Sequence, residues 1–225
     1  MTTPLILNWS GGKDSLLALA ALRADPAWQV SGLLTTINEE YRRIVMHGVR
    51  ETLLDAQAAA LGLPLTKLYL PAAPDNARYE AVMAAAMADI KAQGITHLAF
   101  GDLYLQDVRA YRETQLASAG MTGVFPLWGQ DTRATARQFV AAGHRAVVVC
   151  VDGRQLAGDF CGRDYDRSFL ADLPAGVDPC GENGEFHSFA YAGPAFLRPV
   201  AFTRGEKVLR DARFHYQELL PVVGG

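Results

Sequence analysis

Short apolar runs alternate along the first two thirds of the chain with segments whose apolar residues recur at helical spacing. The apolar runs predict strands at 5–7, 30–36, 65–70, 97–100, 123–125 and 145–151. The segments between them predict helices at 15–23, 46–61, 76–93, 107–119 and 132–142. Several of these helices are followed by a glycine, as at Gly62, Gly94 and Gly143, which is a common C-terminal signal.

This alternation predicts an α/β fold. Continuous apolar strands separated by helices are typical of a parallel sheet that is buried on both faces and joined by right-handed crossovers. We therefore predict a Rossmann-like parallel sheet flanked by helices over residues 1–151. Ligands of such sheets bind outside the carboxyl ends of the strands.

The sequence changes character after residue 151. A Gly-, Asp- and Pro-rich stretch with a short helix near 166–173 precedes two strand-like regions, 186–191 and 195–220, with turns at 192–194 and 204–205. We predict a smaller α+β lobe over 152–225 that binds substrate, because clefts between domains commonly do so.

Composition narrows the class of protein. The chain has 225 residues, 50% of them hydrophobic, and a net charge of −3, which does not favour nucleic acid as the main partner. Without a long apolar run or a basic leader, we expect a cytoplasmic protein that does not enter the membrane. The three cysteines, Cys150, Cys161 and Cys180, form no metal or redox pair, and the reactivity of the last two is left open.

The segment 8–15 carries the strongest chemical signal. It reads Asn-Trp-Ser-Gly-Gly-Lys-Asp-Ser between the first strand and the first helix, where unpaired helix amides and the helix dipole favour an anion. Gly11 and Gly12 let the backbone approach phosphates, and Lys13 supplies a cation. A carboxylate beside phosphate is repulsive unless a cation intervenes, so Asp14 indicates magnesium.

The string is not a Walker A loop, because Asp14 follows Lys13 where that motif has Ser or Thr. It resembles the SGGxDS loop of the ATP pyrophosphatase, or PP-loop, enzymes. A Gly-Gly turn with Ser10 or Asp14 as the helix N-cap is the simpler alternative.

A second group of polar residues follows later strands. Asp102 ends the fourth run beside Gly101, Arg112 and Glu113 lie on the next predicted helix, and Trp128 follows the fifth run in the string 126–131. The strand ends converge at one edge of the sheet. Taken singly, these residues are better explained as a cap, a solvated helix face and a core anchor.

The segment 178–189 is the most unusual one. Glu182 and Glu185 bracket a glycine, and Glu185 shares one face of the following strand with His187. Two carboxylates beside a close backbone approach suit a general base or a metal pair. A turn with solvated acids is the alternative.

Together these motifs resemble those of the diphthine–ammonia ligases and their relatives, a branch of the PP-loop, HUP-like superfamily. The motifs occur in the family's order and cover positions 8–196, and the string 181–189 is the most family-specific. It is similar to the pattern GE-x-GE-(Y/F)-H-T-F, with Ser188 in place of the common Thr.

The resemblance implies ATP-dependent amidation. A carboxylate attacks the α-phosphate, pyrophosphate leaves, and ammonia displaces AMP from the acyl adenylate. The partners implied are ATP, Mg²⁺, ammonia and a carboxylate acceptor, which in the family is diphthine, a modified histidine on the translocation factor. The chain has four Lys against 17 Arg, a habit of GC-rich and often bacterial genomes; in a bacterial protein the acceptor would be a small carboxylate.

The motifs, the strand order and the resemblance together predict the role of each residue. The expected residues are Lys13, Asp14, Asp102, Glu182 and Glu185 for catalysis; Ser10, Gly11, Gly12, Lys13, Asp14, Ser15, Thr35, Asn38 and Gly101 for ATP; Arg112, Glu113, Trp128 and His187 for substrate; and Asp14 for magnesium.

Two other functions stay open from sequence. One is a PP-loop enzyme that modifies tRNA with Cys161 or Cys180 carrying sulfur, and the other is a non-catalytic ATP or AMP sensor. A homodimer is compatible with either. The intact loop and the glutamate-rich segment favour the ligase.

Overall fold

The computed structural model describes residues 2–44, 47–71 and 76–222. Its strands are β1 (Thr3–Asn8), β2 (Trp28–Asn38), β3 (Arg43–Ile44), β4 (Leu65–Leu70), β5 (His97–Ala99), β6 (Thr122–Val124), β7 (Arg145–Asp152), β8 (Phe186–Ala192), β9 (Phe202–Arg210) and β10 (Phe214–Pro221). Its helices are α1 (Lys13–Ala24), α2 (Glu51–Leu61), α3 (Asn76–Ala92), α4 (Gln106–Ser118), α5 (Thr132–Ala141) and α6 (Arg167–Asp172). The second helix was predicted from Met46, which lies outside the described residues; the observed helix begins at Glu51.

The first sheet confirms the predicted α/β class. β4, β2, β1, β5 and β6 pair in parallel in that order, and β3 adds a short antiparallel pairing at the end of β2. The carboxyl end of β1, where the segment 8–15 begins, therefore lies in the middle of the sheet. That is the place where this class of fold binds ligands.

The second sheet is antiparallel, in the order β8-β7-β10-β9. Our expectation that the run 145–151 extends the parallel sheet was wrong, because β7 pairs with β8 and β10 instead. A central antiparallel strand buried on both faces has the same continuous apolar run as a parallel one. The turn predicted at 204–205 was also wrong, since both residues lie inside β9 and the chain reverses at 211–213. A division into lobes at residue 151 stays a prediction.

One hydrophobic core connects the two sheets. Leu16 and Leu19 of α1 are fully buried in the same cluster as Val148 of β7 and Phe189 of β8. This packing sets α1 between the sheets and brings β8 against the start of that helix. None of the described helices is both long and apolar enough to cross a membrane.

Candidate functional site

The loop between β1 and α1 presents the first turn of a helix to the edge of the first sheet. α1 has Gly12 as its N-cap residue, so neither Ser10 nor Asp14 holds the capping position that the simpler alternative assigned to them. The amide of Lys13 donates to Ser188 Oγ at 3.1 Å. The hydroxyls of Ser10 and Ser15 lie 3.0 Å apart beside it. Amides of a first helical turn have no acceptor within the helix, so each bonds either to a side chain, as that of Lys13 does here, or to a ligand.

Two positions in and beside this loop require glycine. Gly11 has φ +77°, in the left-handed region that L side chains disfavour. A Cβ on Gly101, which follows β5, would lie 2.9 Å from the carbonyl carbon of Asp14. The β5 end and the start of α1 are thus in backbone contact, as the sequence motifs required.

Gln57 of α2 fixes the loop from behind and was missed by sequence reasoning. Its side chain is fully buried and donates to the carbonyls of Gly11 at 2.9 Å and Ala190 at 2.5 Å, while its Oε1 accepts from Trp9 Nε1 at 2.9 Å. One amide therefore holds the loop to β8 of the second sheet. An isolated Gln within a helix gives no sequence signal for this role.

A cavity of about 260 Å³ lies in front of the loop. It brings together many of the predicted site residues, from four separate segments: Ser10, Gly12, Lys13, Asp14, Ser15, Gly101, Asp102, Arg112, Glu182 and His187. Residues outside the predicted set for ATP, catalysis and substrate complete it, among them Asn8, His47 and Cys180. We call it the loop cavity.

Lys13 and Asp14 form an ion pair in this cavity, with Nζ 2.7 Å from Oδ2. Lys13 also donates to the carbonyl of Cys180, and its ammonium lies 5.4 Å from the centre of the Phe186 ring. Burial lowers the pKa of Lys13, but the neighbouring acidic groups, Asp14 first, outweigh burial and raise it. Burial raises the pKa of Asp14 against the opposing charge of Lys13. Lys13 therefore stays a cation.

Glu182 and Asp102 both line the loop cavity, from different loops. Glu182 Oε1 accepts from the amide of Leu103 at 2.8 Å. Burial, together with the charges of Asp14 and Asp102, raises the pKa of Glu182 to about 7. A carboxyl with this pKa exchanges a proton readily at neutral pH.

Arg112 of α4 is held beside Asp102. Its Nε lies 2.7 Å from Asp102 Oδ2, and its guanidinium stacks 4.4 Å from the centre of the Phe100 ring. Neither of these two buried atoms has a well-aligned hydrogen bond with any described residue. The two side chains therefore compensate each other's charge as an ion pair at the edge of the loop cavity.

Glu185 lies outside the loop cavity, although it was grouped with Glu182. It is 3% exposed, and its carboxylate accepts from the amides of Asp178 and Asn183, both at 3.0 Å. These bonds close the turn that carries Glu182.

Glu113 and Trp128 also lie outside the loop cavity. They meet around Arg109, which pairs with Glu113 at 2.8 Å and stacks 4.6 Å from the Trp128 ring. Asp131, of the same motif, caps α5 by accepting from the amide of Ala134.

The remaining two ATP-binding candidates lie at the end of β2. Thr35 is buried, and Asn38 lines a second cavity of about 480 Å³ at the carboxyl ends of β2 and β4. Gly48 lines that cavity, and the adjacent His47 lines the loop cavity. The two spaces are therefore neighbours.

His47 and His187 form a pair, of which the sequence analysis singled out only His187. Their ring centroids are 4.7 Å apart, and His47 Nδ1 lies 3.2 Å from the Ser188 carbonyl. Burial, and then the neighbouring His187, lowers the pKa of His47 to about 3, while burial and Lys13 lower that of His187 to about 4. Both imidazoles are neutral at pH 7.

All three cysteines are buried. Burial raises the pKa of Cys150 to about 11 and those of Cys161 and Cys180 to about 12. The thiolate is the nucleophile in sulfur transfer, so these thiols are poorly suited to carry sulfur.

Within the described residues, no group of three or more His, Cys, Asp or Glu side chains is arranged to hold a metal ion. Magnesium in nucleotide sites is commonly bound by one or two carboxylates, with phosphates and water as the other ligands. The Asp14 carboxylate in the loop cavity fits that smaller requirement.

Two family models match the chain. The model described as diphthamide synthase N-terminal domain matches residues 4–122, and the model described as diphthamide synthase C-terminal domain matches residues 131–217. A comparison with curated proteins found no match.

Proposed function

The chain belongs to the diphthamide synthase family, and on that premise we propose that it is an ATP-dependent ligase that joins ammonia to a carboxylate. The observation that carries this proposal is the loop cavity. There, helix amides and Lys13 that suit a triphosphate share one space with a carboxyl of near-neutral pKa, Glu182.

We assign the phosphates to the amides of the first turn of α1, with Ser10 and Ser15 hydroxyls beside them. Asp14 would hold Mg²⁺, which neutralises phosphate charge when bound. The nucleoside would lie toward the second cavity, beside Asn38, which keeps it at the carboxyl ends of the parallel strands.

The first chemical step is adenylation. A carboxylate oxygen of the acceptor forms a bond to the α-phosphorus, and the bridging bond to the β-phosphate breaks to release pyrophosphate. Charge moves onto the leaving group, and the buried cation of Lys13 is fixed in place to stabilise it without reorganisation. The negative charge of the leaving pyrophosphate would compete with the Asp14 carboxylate for the ammonium of Lys13.

The second step forms the amide. Nitrogen of ammonia bonds to the acyl carbon, the carbon–oxygen bond to AMP breaks, and one proton leaves the nitrogen. We assign that proton to Glu182, whose pKa of about 7 suits a general base at neutral pH. Arg112 and Asp102 would position the acceptor and ammonia, and His187 would contact the substrate as a neutral imidazole.

Glu185, Glu113, Trp128 and Thr35 have positions outside the loop cavity, so their proposed part in the reaction is indirect or concerns a larger acceptor. Glu185 would act by holding the turn of Glu182. A protein-borne diphthine and a small carboxylate are the two acceptors to compare.

The test is product analysis with α- and γ-labelled ATP, ammonium and candidate carboxylates. We expect AMP and pyrophosphate to form only when a suitable carboxylate is present, and expect Asp14→Ala to abolish pyrophosphate release with the fold intact by circular dichroism. Asp14→Asn keeps the shape of the side chain, and Asp89→Ala, at an exposed site on α3, is the matched control. ADP with phosphate, or tight ATP binding without turnover in the presence of all substrates, would contradict the proposal.

A further inference from the structure

A groove lies between α5 and α6, and the segment that leads to Glu182 forms part of its lining. It is a half-open space of about 670 Å³. Its apolar lining comes from the side of α5 that includes Val140, and from residues of α6 and the following segment, among them Leu170, Leu173 and Val177. An apolar groove of this size between helices is typical of a site that receives side chains of a ligand or partner.

All the charged residues that line the groove are arginines: Arg133 and Arg137 on α5, and Arg167 at the start of α6. All three are exposed, and with the described residues none of them forms a hydrogen bond or ion pair. Arg133 and Arg137 are four residues apart on one helix, an arrangement of like charges that disfavours the helix. A chain with net charge −3 thus concentrates unpaired positive charge at one apolar groove.

We propose that this groove docks an acidic, amphipathic segment of a partner protein. Carboxylates of that segment would pair with the arginines on the two walls, and its apolar side chains would cover the floor. Arg suits this role because its planar guanidinium binds carboxylate in a bidentate manner and is weakly hydrated. Helix-in-groove recognition uses the same combination of apolar anchors and flanking charges.

The apolar floor favours a peptide over nucleic acid. Binding of a nucleic acid backbone needs a track of cations along the phosphates and aromatic faces for unstacked bases. Apart from three arginines, the described residues that line the groove are Leu, Val, Pro and Ala, with no aromatic side chain among them.

The groove shares a segment with the loop cavity. Val177 and Pro179 line the groove, and Cys180, the next residue, accepts from Lys13 through its carbonyl and donates to the Thr132 carbonyl through its thiol. A partner seated in the groove would therefore contact the chain directly beside the catalytic loop. The docking proposal itself does not depend on the ligase assignment.

Fluorescence anisotropy with a labelled synthetic peptide tests the proposal. The probe is a 15-residue helix-forming peptide with Leu and Glu at i, i+4 spacing on one side. We expect saturable binding to the full chain, weakened at least tenfold by R133E/R137E and unchanged by R154E/R198E, which reverses two exposed arginines outside the groove. Replacing the Leu residues of the peptide by Ser should weaken binding at least tenfold as well. Circular dichroism would confirm that each variant is folded.

Three outcomes would overturn the proposal. The first is an absence of saturable binding to the unmodified chain. The second is equal loss of binding in R133E/R137E and R154E/R198E, which would indicate general attraction between charges. The third is tighter binding of a single-stranded oligonucleotide of equal charge at the same arginines, which would assign the groove to nucleic acid. Ligase activity in the absence of peptide should be unchanged in R133E/R137E, so failure here is distinguishable from failure of the ligase proposal.

Discussion

Replacing Glu182 by Gln should stabilise the protein at pH 8 and do so much less at pH 5. The pKa of Glu182 rises from an ordinary 4.5 to about 7 on folding. A carboxyl whose pKa is raised by folding contributes no penalty below its unfolded pKa; stability falls as the pH rises from there to the folded pKa and levels off above it. Glutamine can keep the hydrogen bond from the Leu103 amide and carries no charge.

The size of the effect follows from the change in proton affinity. Each tenfold change in affinity corresponds to about 1.4 kcal/mol, which gives roughly 3 kcal/mol as an upper bound for Glu182. The carboxyl is partly exposed, so solvent screening reduces the expected gain to about 1–2 kcal/mol. In a chain of this length that corresponds to a Tm increase of about 2–8 °C.

Thermal unfolding followed by circular dichroism at pH 5, 6, 7 and 8 would measure the difference between variant and wild type. The difference should grow between pH 5 and pH 8, because the acidic titration of His47 and His187 is common to both proteins and cancels. Glu206→Gln, at an exposed position on β9, is the matched control and should show no such growth. A difference in stability that is the same at pH 5 and pH 8 would refute the raised pKa of Glu182. A stabilised variant that retains full amide formation would refute its role as the general base.

Two further predictions concern the frame of the loop cavity, and a third concerns the cysteines. Gly101→Ala places a Cβ against the start of α1 and should lower the rate of pyrophosphate release at least tenfold, whereas Gly176→Ala, which has open space for a Cβ, should not. Gln57→Ala leaves the buried Trp9 indole N–H without its acceptor and should cost about 2–4 kcal/mol by urea unfolding; the exposed Gln138→Ala should cost less than about 0.5 kcal/mol. The three thiols should react with a thiol reagent slowly in native protein and at once in denaturant, and rapid native labelling would contradict their burial.

Much of the site could be predicted because its chemistry is local in sequence. Loop residues between a strand and a helix, and residues at the ends of parallel strands, are brought together by the class of fold itself. Gly101 and Asp14 are an example, since both follow central neighbouring strands, β5 and β1.

Other contacts depend on how the two sheets pack and left no local signal. In the sequence, Gln57 resembles any other polar residue of a helix. Only the structure shows that its amide lies between the loop and β8. His47 enters the loop cavity because it packs against His187 from another element. Glu185 was grouped with Glu182 because both flank the same glycine, but the structure shows that its carboxylate accepts from amides of its own turn. We predicted β7 in the wrong sheet because a strand that is buried on both faces has the same continuous apolar sequence in a parallel and in an antiparallel sheet.

The most direct test of the account is a crystal structure with a non-hydrolysable ATP analogue and magnesium. The account predicts phosphate oxygens within hydrogen-bonding distance of the amides at the first turn of α1, with the cation near Asp14. Well-ordered nucleotide whose phosphates lie away from Gly11 and Gly12 would contradict it.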